Sequence, residues 1–148
     1  MRVQARRERG QSLVELAFVV PLLLLLLVGI IEIGRFAFYS IVVSNAARAG
    51  AQYGAQSLAN AADTAGIATA AKNDGQGGTG LTVTSSQLCG CSGATLSGAC
   101  PATLCALPNH ALVYVQVRVV GAFPSLFRYP GLPASISVNS VEEMRVAQ

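Results

Sequence analysis

Charged side chains are scarce in this chain. Asp, Glu, Lys and Arg make up 11% of its 148 residues, against roughly a quarter of an ordinary soluble domain, while hydrophobic residues reach 52%. A chain of this composition does not live wholly in water, and its length allows one ordinary domain or one membrane segment with a small domain. Histidine is nearly lacking: His110 stands alone between a proline-containing turn and a predicted strand. Asp74, Glu142 and Glu143 form no evident acid and base pair, and the patterns G-x-S-x-G, H-E-x-x-H and C-x-x-C-H do not occur. The stretch NDGQGGTG, Asn73 to Gly80, lacks the Gly-Lys-Ser/Thr ending of a phosphate loop. The expectation is a protein that is not an enzyme and holds no cofactor or metal.

Excess basic charge is lacking everywhere but at the start. Arg2, Arg6, Arg7 and Arg9 against Glu8 carry the whole net charge of +3 within ten residues, and the remainder holds six basic and six acidic side chains. With no basic patch to track phosphates, nucleic-acid binding is excluded as a main function. Arginines beside an apolar run instead predict a cytoplasmic N-terminus, with the rest of the chain across the membrane.

The apolar run is Leu13 to Ile33, broken only by Glu15, Pro21, Gly29 and Glu32. About 20 apolar residues suffice to cross the hydrocarbon core, so this run is long enough. It is too long for a secretory signal, whose apolar region is about 7 to 15 residues, and the nearest small-residue cut site, Ser44-Asn45-Ala46, lies far downstream. An uncleaved anchor explains the arginines but leaves Glu15 as a cost, about 2.5 to 3.5 kcal/mol at a membrane centre and less near the interface. As a helix N-cap the same carboxylate would gain roughly 0.3 to 1 kcal/mol from the macrodipole. Pro21 removes one helical hydrogen bond and predicts a kink. Glu32 and Arg35, three apart, predict a surface pair at the far end of the span.

A short basic leader ending in glycine, with a glutamate five residues later at the head of an apolar helix, resembles the processing site of type IV pilins and pseudopilins. More closely, QSLVELAFVVPLLLLLLVGIIEIGRF followed by NAARAGAQYGA resembles the TadE/TadG-type pseudopilins of tight-adherence (Flp) pilus systems. The resemblance implies cleavage by a prepilin peptidase after Gly10, with Gln11 as the new N-terminus. Cleavage would discard the +3 leader and free an α-amino group close to Glu15. In an assembly of parallel helices, that amine could pair with Glu15 of a neighbouring subunit and fix register. The family also implies an inner-membrane protein whose partners are other pilins and the Tad assembly machinery, with the bilayer holding it until it joins or primes the pilus.

From Asn45 to Lys72 the chain is rich in alanine and has no proline, which predicts that the helix continues to Lys72, about 90 Å from Ser12 at 1.5 Å per residue, with Gly50, Gly54 and Gly66 as points of bending. Asn45, Arg48, Gln52, Gln56 and Asp63 form a polar stripe, opposite Ala46, Gly50, Gly54, Ala61 and Ala68. Gly50 and Gly54 form a G-x-x-x-G pair, suited to packing against another helix or, as the plainer reading, against the domain's own sheet. LTVTSS, ALVYVQVRVV and ASISVNSVEEMRV predict three strands, with Val113, Val115, Val117 and Val119 facing inward and the three-proline stretch FPSLFRYPGLP joining the last two.

Four cysteines, Cys89, Cys91, Cys100 and Cys105, cluster in CGCSGATLSGACPATLC. Outside the cytoplasm such clustering predicts disulfides rather than zinc, whose usual spacing is C-x-x-C. A bridge from Cys89 to Cys91 would close a strained ring, which leaves Cys89 to Cys100 with Cys91 to Cys105, or Cys89 to Cys105 with Cys91 to Cys100. The predicted class is α+β: leader 1–10, transmembrane helix 11–34, extracytoplasmic helix 35–72 and a small antiparallel β-rich head 73–148 with a cysteine loop at 89–105. The rival reading is an uncleaved, membrane-tethered binding domain whose cysteine loop holds a metal or a protein partner.

Overall fold

The computed structural model describes residues 5–75, 80–91, 96–98, 105, 111–126, 131 and 133–147, with side chains from Gln11 onward. The chain divides into two units, Met1–Ala37 and Phe38–Gln148. The first is helical: α1, Ala5–Ala55, begins in it and ends in the second unit. Leucine-rich sequence with no β-branched cluster before Val19 favours the helix, and Pro21 is accommodated inside it.

The second unit is a three-stranded antiparallel sheet, order β1-β2-β3, with helices on one face. Its strands are β1 (Thr82–Cys91), β2 (Ala111–Pro124) and β3 (Ser135–Arg145). Alternation along β2 puts Val115, Val117 and Val119 inward, each 0% exposed, with Val113 partly buried beside them. Register carries that face sideways, because Val117 lies opposite Ser85 on β1 and Glu142 on β3. On the other face Gln116 donates to Glu143 across the strands.

Two predicted features come out differently. The helix does not run unbroken to Lys72: α1 ends at Ala55, followed by α2 (Leu58–Ala62) and α3 (Thr64–Asp74). Ser57 is extended and its hydroxyl accepts from Asn60 N–H at 3.1 Å, while the Asp63 carboxylate accepts from Gly66 N–H at 2.9 Å. These are N-caps, worth about 1 kcal/mol each. Reversal lets Ile67 and Ala71, both 0% exposed, pack beside Gly54 and Gly50, and burying one isoleucine stabilises by about 1.5 to 3 kcal/mol. The helix preference lost at Ser57 and Asp63 is below about 0.7 kcal/mol per residue, so packing wins. The second difference is β1, which extends past LTVTSS through Cys91.

Small residues set the distance between helix and sheet. A Cβ on Gly54 would stand 2.9 Å from Val115 Cγ2, and one on Gly50 3.1 Å from Val117 Cγ1. Gly66 serves for contact rather than bending: a Cβ there would collide with the Asp63 carboxylate and stand 2.5 Å from Tyr53 Oη. Tyr53 in turn donates its hydroxyl to Asp63 at 2.9 Å. The last carbonyl of α1 is satisfied by the chain's far end, since Ala147 N–H donates to Ala55 C=O at 2.8 Å.

Gly54→Leu is expected to destabilise the second unit by about 1 to 3 kcal/mol through overpacking. Gly29→Leu, where nothing lies within 4 Å of an added Cβ, is expected to leave the urea midpoint unchanged. The Asp63 carboxyl is held below its ordinary value, first by the Gly66 N–H and then by the Tyr53 hydroxyl, against a smaller opposing effect of burial. With the folded value below the unfolded one, its contribution is present above the unfolded value and is lost as pH falls through the folded one. Unfolding midpoints recorded below about pH 4 are therefore expected to fall less steeply for Asp63→Asn than for the parent chain.

Candidate functional site

The first turns of α1 hold Gly10, Gln11 and Glu15 together by sequence spacing alone. Gln11 and Glu15 are four apart, so they share one helix face. Every side chain from Gln11 to Leu27 is exposed, including Leu13 at 67%, Phe18 at 78% and Leu25 at 70%. A helix apolar on all sides needs lipid or protein around it, and this is one helix long and apolar enough to cross a membrane. Pro21 sits well inside that run, where the carbonyl one turn earlier loses its usual amide partner.

The apolar run closes on a charge pair: Arg35 Nη1 lies 2.9 Å from Glu32 Oε2. Beyond it the polar stripe predicted on α1 is present, with Asn45, Arg48 and Gln52 exposed, and Arg48 Nε reaches Glu142 Oε1 on β3 at 3.3 Å. Asp63 is not on that helix; it caps α3. Gly50 and Gly54 are buried against the unit's own β2 and α3. Sequence reasoning missed the Tyr53, Asp63 and Gly66 contact, although Ser57 and Asp63, each followed two or three residues on by its amide donor, carry the signal of helix N-caps.

Cys91 is bridged to Cys105, with their Cα atoms 5.6 Å apart, and Cys89 is also disulfide-bonded. The Cys91 to Cys105 bridge belongs to the first of the two pairings the sequence leaves open and is incompatible with the second; Cys100 lies outside the described residues. Cys89 and Cys91 stand on β1 rather than in a loop, opposite Val113 and Ala111, and Cys89 is 2% exposed. Bridged sulfurs offer no thiolates, so Cys91 and Cys105 cannot serve as zinc ligands in this state. His110 lies outside the described residues. A cleft of about 460 Å³ beside α2, α3 and β1 takes its polar groups from Thr64, Ser85, Ser86 and Gln87, and among the described residues its lining has no titratable side chain. Replacing Cys91 and Cys105 by serine is expected to lower stability by about 3 kcal/mol, the value for a loop of this size, read as a lower unfolding midpoint than the oxidised parent.

No curated protein and no solved structure matches the chain. The sequence model of the TadE-like protein family matches residues 10–52. Those bounds enclose Gly10, Glu15, the whole apolar run, the Glu32 to Arg35 pair and Gly50. Over that stretch, 43 of 148 residues, the chain is similar to TadE-like proteins.

Proposed function

We propose that the protein is a minor pilin or pseudopilin acting in Tad (Flp) pilus assembly and adhesion, made as a bacterial inner-membrane precursor and cut between Gly10 and Gln11 by a prepilin peptidase. One observation carries the reading. Within the TadE-like residues 10–52, an exposed apolar helix follows a glycine at the end of an arginine-rich leader and keeps one carboxylate, Glu15, in its first turns. Cleavage converts the Gly10 to Gln11 amide into a carboxylate on the leader and an amine on the helix. That amine supplies Glu15 with a cationic partner on an adjacent subunit.

Two independent features support an orientation with the N-terminus in the cytoplasm. Four arginines in the leader favour a cytoplasmic N-terminus, and the Cys91 to Cys105 bridge suits an oxidising compartment for the second unit. Partners in this reading are the peptidase, other pilins or pseudopilins, the Tad machinery and the lipid bilayer.

The N-terminal peptide of the native protein is expected to begin at Gln11; an intact Met1, or a start near Ala47, would sink the processing step. Glu15→Ala is expected to insert into membranes normally and to lose capture of partner pilins. Unchanged capture and pilus assembly would show that Glu15 has no pairing role.

A further inference from the structure

On the exposed side of α1 in the second unit, Phe38, Ile41, Asn45, Arg48 and Gln52 follow one another at helical spacing. Phe38 is 64% and Ile41 58% exposed; from Asn45 onward the same stripe is polar. The apolar surface of the helix therefore ends between Ile41 and Asn45, well past the Glu32 to Arg35 pair.

The sheet brings further apolar surface to the same level. The Tyr39 and Phe123 rings lie 5.7 Å apart, and Phe123 is paired in register with Ile136. Ser125 N–H donates to Ala134 C=O at 3.3 Å, closing this end of the β2–β3 pair. At that end Leu126 is 57% and Ile136 45% exposed. Residues 36–47 contain no charged side chain, and the one charged residue within 119–138, Arg128, lies outside the described residues. Phe127 to Pro130 lie outside the described residues, and the patch is defined without them.

We infer that this rim, Phe38, Ile41, Leu126 and Ile136, is a lipid-contacting surface that seats the second unit in the headgroup region of the bilayer. The inference rests on the membrane-spanning reading given above. The tether selects lipid as the occupant: Tyr39 follows Ile33, the last residue of the apolar run, by six residues, so even a fully extended chain keeps it within about 21 Å of the hydrocarbon boundary. Phe38, Ile41, Leu126 and Ile136 carry no charge, and burial of their apolar area at the bilayer interface drives the contact. The polar residues beginning at Asn45 mark where water resumes.

The chain has no tryptophan, so single substitutions give clean fluorescent reporters. The full chain, oxidised, is reconstituted in phosphatidylcholine vesicles containing lipids brominated on the acyl chain close to the headgroup. Leu126→Trp and Ile41→Trp are expected to emit at blue-shifted wavelengths and to lose intensity to the bromolipid. Gln56→Trp, just past the opposite end of α1 in this unit, is expected to emit as in water and to be unaffected. Leu23→Trp reports the span itself and is expected to shift and be quenched by lipid brominated deep in the chain. Quenching at Leu23→Trp with water-like emission at Leu126→Trp and Ile41→Trp overturns the rim contact while leaving the anchor standing. Blue-shifted emission at the rim without bromolipid quenching means that protein, such as a second copy, covers it, and overturns the inference equally. Water-like emission from Leu23→Trp overturns the membrane-spanning reading, and the rim contact with it.

Discussion

The second unit depends on how closely the backbone of α1 approaches β2. Gly50 and Gly54 leave room for Val117 and Val115 on one side and for Ala71 and Ile67 on the other, so one pair of missing side chains admits both the sheet and the returning helix. Small residues alone would bury little. The area comes from what they admit: Val115, Val117 and Val119 of β2, Ile67, and Val43 about two turns nearer the start of this unit than Gly50, all 0% exposed. Remove the approach, and α3 has no place to pack, Asp63 has no helix to hold in position, and Tyr53 loses the carboxylate that accepts its hydroxyl.

Much of this was legible in the chain. The three strands and the inward valines follow from alternation, and the Ala46, Gly50 and Gly54 face follows from helical spacing. The turn after Ala55 was not legible in the same way, because alanine preference is a sum of small local terms, while the reversal is decided by Ile67, seventeen residues from Gly50 in sequence and next to it in space. Ser57 and Asp63 carried a local signal, but a capping residue inside an alanine-rich run reads equally well as one member of a polar stripe. For the N-terminal site the order is reversed. Gly10, Gln11 and Glu15 need no tertiary structure to come together, so spacing alone defines them and the fold adds only that the surrounding side chains are exposed.

The glutamates show how a chain with few charges places them. Glu32 meets Arg35 within one helical turn at the end of the apolar run, and Glu142 meets Arg48 across two elements at the margin of the sheet. Exposed pairs such as Arg48 with Glu142 are worth between about 0 and 1 kcal/mol, too little to hold the fold. Their value lies in position. Glu142 points from the edge strand β3 toward the helix side, and an inward-pointing charge on an edge strand discourages unwanted pairing with another sheet. Glu15 lies in the first turns of an otherwise apolar helix, where the proposed pairing with the amine of a neighbouring subunit would give it a partner.

Stability in the second unit also changes character along its length. At the end where α1 enters, Tyr39 lies over Gly121 and against Phe123, and a Cβ on Gly121 would stand 2.5 Å from Tyr39 Oη, so an aromatic ring fills space that a strand glycine leaves open. In the middle, helix and sheet meet through Gly50 and Gly54. At the other end the buried cluster thins to Val113 and Val146, joined by the Val146 N–H donating to Val113 C=O at 2.8 Å. There the chain turns to covalent closure, because Cys91 stands opposite Ala111 at the margin of β1 and β2 and is bridged to Cys105. A bridge stabilises mainly by limiting the unfolded chain, so it is most effective where few apolar contacts are available to hold a connection in place. The sequence between β1 and β2 is rich in Gly, Ser, Ala and Thr, with little to bury, and the disulfide lies where packing cannot serve.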